Sequence, residues 1–292
     1  MDARTSAIAV DLGGTKVGAA VVSNGKVERS VVVPTLAREG PAKVLSQICA
    51  AIDSLDAGWL PIGIGSPGPL DSEKGIIINT PNLPLRNYPL AKKIAARYHV
   101  EVRVDNDAKC FALGEARFGK GKGYRHVVGI ILGTGVGGGF VTDGKLYHGK
   151  GNASEFGHMS IAPGPRCTCG NLGCLEEYAS GRAVLRNARA LGLKGIKDAS
   201  EVFALAQGKG RDAAEARKSY DMMGEMLGVG MLSVIHCLDP DIIVFGGGVS
   251  RASKFFMPAM LRVVRKRCIV SPPRFAVSAG PMALLGAASL VL

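Results

Sequence analysis

At 292 residues the chain is long enough for two domains, and 47% hydrophobic with 21% charged residues allows a substantial buried core, which excludes a disordered chain. Thirty-six basic against 24 acidic residues leave a net charge of +12, yet aromatic content is only 5% and no basic block of five or more residues occurs, so nucleic acid is not an expected partner and small anionic molecules are. The 40 glycines are about twice the usual ~7% share and require a reason.

The N-terminal stretch lacks the apolar core of a secretory leader, because Asp11 interrupts it, and a cytoplasmic setting is expected. Apolar residues 7–10 run into Asp11-Leu-Gly-Gly-Thr-Lys16 and out through Val17 to Val22, with a second turn at Asn24-Gly25. Residues 41–55 carry helical spacing through Val44, Ile48, Ala51, Ile52 and Leu55, and Ile62–Ile64 form a short strand ending at Gly65-Ser-Pro-Gly68. Residues 89–97 read as helix and 100–104 as extended chain. Asn106 or Asp107 then caps a helix running to about Phe118, closed by the basic glycine loop 119–123. Val127–Leu132 lead into a glycine turn at 133–139, followed by a strand at 140–142 and a turn at Asp143-Gly144. The first hairpin pattern has thus occurred twice, which suggests two related α/β domains offering backbone N–H groups to a shared ligand. Residues 182–235 are mostly helical, 241–245 form a strand into Gly246-Gly-Gly248, and helices near 255–267 and at the C-terminus finish the chain. The C-terminal apolar stretch, 282–292, is well short of the ~20 residues of a membrane span and reads as a buried helix, so no membrane partner is expected.

Phosphate-binding signatures fail individually. Gly114–Lys120 and Gly139–Lys145 have Walker A spacing, but Gly121 and Leu146 follow where a magnesium-binding hydroxyl is needed. Gly133, Gly135 and Gly138 match a dinucleotide fingerprint, but a strand follows where a helix is required. What remains is three glycine turns at the ends of buried strands, at Gly13-Gly14, Gly133–Gly139 and Gly246–Gly248, where main-chain amides can approach a ligand closely. Asp11, a carboxylate at a buried strand end beside Thr15 and Lys16, needs a partner that Mg²⁺ and phosphate would supply.

Taken together, Asp11–Lys16, the Asn106-Asp107 pair, Gly133-Thr-Gly-Val-Gly-Gly, Glu155-Phe-Gly-His158, the cysteine cluster and Gly246-Gly-Gly248 resemble the ROK family of sugar kinases and repressors, over nearly the whole chain. The resemblance implies a two-domain α/β actin-like ATPase (ribonuclease H-like) fold with mixed sheets, helices and an interdomain cleft. It suggests a small domain at 1–106, a large one at 107–275 holding the cysteine loop, and a C-terminal helix at 276–292 returning to the small domain. ATP would lie on Asp11, Gly13, Gly14, Thr15, Lys16, Gly133, Thr134, Gly135, Gly246, Gly247 and Gly248, with Mg²⁺. A homodimer is expected by analogy.

Cys167-x-Cys169-x-x-x-x-Cys174 places three thiolates within eight residues, and His158 lies nine positions upstream. Together they form a closed Cys₃His set suited to structural Zn²⁺, and an odd total of seven cysteines makes a disulfide framework a poor account. Cys49, Cys110, Cys237 and Cys268 are expected as buried free thiols. The resemblance also makes His158 a sugar contact, so that zinc would orient its imidazole through the other ring nitrogen.

Phosphoryl transfer needs a carboxylate to take the hydroxyl proton, and Asp107 is the candidate, at a helix N-terminus that keeps it ionised; the resemblance assigns that position the same role. It further implies that Asn106, Glu155, His158 and Glu176 clamp the sugar, with Gly68 and Asn82 as additional contacts and Glu177 as the alternative to Glu176. The usual C-terminal aspartate of the family is missing from Pro281–Ala288, although Gly286 is kept. The expected reaction is ATP-dependent phosphorylation of a hexose, glucose first, with N-acetylglucosamine or N-acetylmannosamine as alternatives. The compact cysteine spacing disfavours the fructokinase branch. A sugar-responsive repressor is disfavoured by the six residues before the first strand, and polyphosphate stays open as an alternative donor.

Overall fold

The structure, a computed structural model, describes residues 5–80 and 82–292; Met1–Arg4, the start of the stretch read above as lacking a leader, lie outside the described residues. The chain opens with β1 (Ser6–Leu12) and β2 (Lys16–Ser23), an antiparallel hairpin in which Asp11 faces Gly18. β1 is buried along Ala7–Val10, as a strand covered on both faces must be. Asn24-Gly25, both at positive φ, turn the chain into β3 (Lys26–Pro34), an edge strand of mostly exposed residues. Helix α1 (Pro41–Asp53) buries Val44, Ile48, Ala51 and Ile52, the stripe its spacing predicts.

Next comes β4 (Ile62–Ser66), buried throughout and parallel to β1, followed by the small antiparallel strands β5 (Leu70–Asp71), β6 (Ile76–Asn79) and β7 (Arg86–Tyr88). Helix α2 (Leu90–Tyr98) leads to β8 (Val102–Asn106), which pairs in parallel with β4 and runs straight into α3 (Asp107–Phe118). The resulting strand order is β3-β2-β1-β4-β8.

The pattern is then repeated. β9 (His126–Leu132), β10 (Val136–Thr142) and β11 (Lys145–Leu146) are followed by helices α4 (Glu176–Ala179), α5 (Gly181–Ala190), α6 (Ala199–Ala206) and α7 (Arg211–Leu238). After them come β12 (Ile242–Gly246), α8 (Ser253–Arg267), β13 (Arg274–Val277) and α9 (Met282–Ala288). The second strand order, β11-β10-β9-β12-β13, reproduces the first position by position, with two antiparallel outer strands on one side and parallel pairing on the other. The twice-occurring hairpin was therefore the visible part of a duplicated α/β architecture.

Two compact units emerge. Unit 1 comprises 1–129, 139–153 and 279–292, and unit 2 comprises 130–138 and 154–278. This division differs from the expected boundaries after 106 and 275, because α3 packs on α9 and β4 and so goes with the N-terminal sheet. Gly286 sits at the α9–α3 contact, where a Cβ would overlap the Cys110 carbonyl oxygen. In unit 2, α7 is long and apolar enough to cross a membrane by length and composition, but half of its most apolar window is buried, against α8, α5 and α6 among its neighbours. It is a core helix.

Two further readings need correction. The glycine turn expected at 133–139 is shorter, because Val136–Gly139 already belong to β10; Gly139 is needed for close approach to α3, since a Cβ there would lie 2.7 Å from that of Ala112. Of the four cysteines expected as buried, only Cys49 and Cys110 are; Cys237 is exposed and Cys268 half-exposed, being near the ends of α7 and α8.

Candidate active site

In unit 1 the parallel strands β1, β4 and β8 align Asp11, Gly65 and Asp105 at their C-terminal ends, where ligands of open α/β sheets bind. Asn106 closes β8 and caps α3: its Oδ1 accepts the N–H groups of Ala108 and Lys109 at 3.0 and 3.1 Å. The cap thus falls to Asn106. Asp107, first residue of α3, remains half-buried, with Oδ1 accepting the Ala108 N–H at 2.8 Å. The carboxylates of Asp105, Asp107 and Asp11 all bear on Cys110, whose thiol is pushed well up, first by complete burial and then by those three charges.

Asp11 is half-buried rather than buried, and desolvation raises its pKa, with Lys16 acting in the opposite direction. Of the residues of the first glycine turn, Gly13 and Gly14 are half-buried and Thr15 and Lys16 exposed. The turn is pinned by Thr35, a fully buried residue that sequence reasoning missed: its Oγ1 donates to the Gly13 carbonyl at 2.7 Å and its N–H to the Thr15 carbonyl at 3.0 Å. Asn82 lies against this turn, 3.0 Å from where a Cβ of Gly14 would be, and Gly68 lies beside the Asn106 amide. Unit 1 therefore brings together Asp11, Gly13, Gly14, Asn82, Gly68, Asn106 and Asp107.

Unit 2 gathers the rest. Gly133, Thr134 and Gly135 form the turn between β9 and β10, and the Gly181 N–H donates to the Gly133 carbonyl at 2.8 Å. Gly246 ends β12 and Gly247 takes φ +83° before a 3₁₀ turn at Gly248–Ala252. Glu176 ties the second glycine turn to α5: one oxygen accepts the Val136 N–H at 2.9 Å and the other the Arg182 guanidinium at 2.6 Å. Glu177 is engaged by Arg186 and, at 3.7 Å, by Arg182 as well. Arg182 carries no motif of its own, and its signal lay only in its position just past the N-terminus of α5.

His158 ends a 3₁₀ turn, Phe156–His158, that starts just after exposed Glu155. The bridges Ser160↔Cys174 and Arg166↔Leu172 fold the loop back and bring the cysteines to it. The ligand atoms of His158, Cys167, Cys169 and Cys174 lie within 4.8 Å of one another, with His158 Nδ1 3.6 Å from Cys167 Sγ and Cys169 Sγ 3.6 Å from Cys174 Sγ. A tetrahedral ion with ~2.3 Å bonds to sulfur and ~2.1 Å to nitrogen needs donors roughly 3.5–3.8 Å apart, so the set fits zinc. Burial pushes the Cys174 thiol up to about 12, whereas the Asn171 N–H holds Cys169 below the ordinary thiol value.

A duplicated α/β fold with a glycine turn after the first strand of each half is that of the actin-like ATPases, and the sugar kinases built on it. The ROK family pattern matches residues 7–292, and the chain belongs to the ROK family. A glucokinase of Thermotoga maritima is 37% identical over 310 aligned positions, covering 97% of this chain and 96% of its own. An N-acetyl-D-glucosamine kinase of Citrobacter koseri is also 37% identical, covering 82% of this chain and 83% of its own. The crystal structure of a ROK family glucokinase from Streptomyces griseus in complex with glucose and AMPPNP aligns with TM-score 0.82 and 32% identity over 98% of this chain and 99% of that one.

Proposed function

We propose that the chain is an ATP-dependent hexose kinase acting on glucose, with Asp107 as general base. The observation that carries this reading is the placement of Asp107: a carboxylate on the first turn of α3, immediately after β8, on the same sheet edge as Asp11 and the first glycine turn. The positive end of a helix dipole favours a carboxylate at that place, and a carboxylate can accept a proton. The 6-hydroxyl oxygen of the sugar attacks the γ-phosphorus, the bond to the β–γ bridging oxygen breaks, the hydroxyl proton passes to Asp107, and ADP leaves.

Asn106, Gly68 and Asn82 in unit 1, and Glu155, His158 and Glu176 in unit 2, hold the sugar hydroxyls. Amides of the turns at Gly13–Thr15, Gly133–Gly135 and Gly246–Gly248 take the nucleotide, with Lys16 reaching its phosphates. Mg²⁺ beside Asp11 would neutralise charge on the phosphates. Zinc on His158, Cys167, Cys169 and Cys174 would fix the loop that carries the sugar residues. A cytoplasmic setting and a homodimer belong to the same reading.

Purified protein with Mg-ATP, assayed on hexoses and N-acetylhexosamines, is expected to give its highest kcat/KM with glucose. The N-acetyl-D-glucosamine kinase of the same identity over a smaller share of the chain supports a second reading, which a higher kcat/KM on N-acetylglucosamine would favour. No turnover on any of these sugars with ATP, or turnover with polyphosphate alone, would overturn the proposal.

A further inference from the structure

Asp105 is 3% exposed, so its carboxylate is among the most deeply buried charges of unit 1, and no role in phosphoryl transfer requires it. Both its oxygens are engaged. Oδ1 accepts the N–H of Asn106 at 2.7 Å, and Oδ2 meets His148 Nε2 at 2.6 Å, which makes the imidazole the donor. His148 in turn organises its own loop, its carbonyl accepting the N–H groups of Gly151 and Ala153 at 2.8 and 3.0 Å. The circuit closes on α3, where buried Lys109 donates from Nζ to the Gly151 carbonyl at 2.6 Å. Two charged side chains that flank the Asn106-Asp107 turn therefore hold the segment 148–153, whose chain continues into Glu155.

We propose that His148 and Asp105 form a positioning pair that, with Lys109, fixes the Asn106-Asp107 turn for proton abstraction. The proposal rests on the kinase reading, since it gives that turn its role. The pair is built to act on orientation: an acidic side chain that receives the backbone N–H of Asn106 sets the direction in which β8 enters α3, and hence where the Asp107 carboxyl points. The imidazole is one-third exposed, at the wall of a cavity of about 750 Å³ that Arg103, Leu113, Lys145, Lys150 and Leu290 also line. A small solute can therefore reach its place from solvent.

The test uses His148→Ala, His148→Gln and, for the other arm, Lys109→Met. His148→Ala is expected to lower kcat on glucose at least tenfold while KM for ATP changes less than twofold. His148→Gln, whose amide can still donate to Asp105, should return kcat to within threefold of the parent. Millimolar imidazole added to His148→Ala should restore part of the lost rate, an effect that a general loss of stability would not give. Independently of turnover, amide exchange at 105–109 should quicken in His148→Ala and Lys109→Met, with β1 and β4 unchanged.

Unaltered kcat and unaltered exchange would overturn the inference, as would a lowered melting temperature with full kcat and no imidazole effect. If His148→Ala does not fold, amide exchange at 105–109 in Lys109→Met decides: faster exchange supports the pair and unaltered exchange overturns it. If the parent protein phosphorylates no sugar, the kinase reading fails, and unchanged exchange at 105–109 in the variants would still reject the pair by itself.

Discussion

Asp107 and Asp11 are carboxylates of one sheet edge in different surroundings. Asp107 stands on the first turn of α3 as the proposed proton acceptor, so Asp107→Ala should lower kcat by roughly 10²–10⁴, the usual contribution of a general base, with sugar affinity retained when measured by calorimetry. Retention of most of the turnover would reject it as the base. Asp11 is desolvated, and its raised pKa means that the ionised form is penalised in the folded state. Its contribution to stability is therefore complete below the ordinary carboxylate value of 3.8 and is lost as pH rises through its folded value. Asp11→Asn should then melt higher than the parent near pH 7 without Mg²⁺, the gap closing below about pH 4, while turnover with Mg-ATP collapses. Equal melting at both pH values would mean that the carboxylate carries no such penalty.

At the scale of elements, α9 is joined to α3 through Gly286, and a side chain there has no room. Gly286→Val is expected to cost about 2–3 kcal/mol by overpacking, read as a lower urea midpoint with unchanged slope. The glycine was legible in the sequence because the family keeps it, and so were the elements whose signals are local. Examples are the β1–β2 turn, the Asn106 cap and the α1 stripe, each determined by residues within a few positions of one another. Strands β3, β5–β7 and β13 were not legible, since they are short or lie at sheet edges, and their exposed residues blur the alternation. The same reasoning explains the missed site residues. Thr35 meets Gly13 across 22 positions and Asp105 meets His148 across 43, and no pattern in one chain connects residues that only folding makes neighbours. The cysteine cluster was visible because three of its four donors fall within eight residues, although its closure on His158 depends on the bridge at Ser160↔Cys174.

Across the whole molecule, the expected chemistry is divided. The candidate base and the first glycine turn lie in unit 1, and the Cys₃His set lies wholly in unit 2, together with Glu155, Glu176 and the other two turns. Loss of a structural ion should therefore be felt unequally. With zinc removed by a chelator, or with one of its four donors removed by Cys174→Ser, the set is left without its ion, and the loop 158–174 is held by little beyond its bridges and local hydrogen bonds. Amide exchange should then accelerate across 154–178, while β1, β4, β8 and α3 keep their protection. Because Glu176 follows Cys174 by two residues and holds the Val136 N–H, KM should rise for both sugar and ATP, that for the sugar more, since the proposed reading gives His158 and Glu155 the sugar contacts. The Asp107 chemistry is untouched, so saturating substrates should recover most of kcat. Metal analysis of the purified protein gives the independent check, at one zinc per chain. Accelerated exchange spread evenly over both units, or none anywhere after complete removal of the ion, would contradict a site confined to unit 2 that supports the sugar contacts.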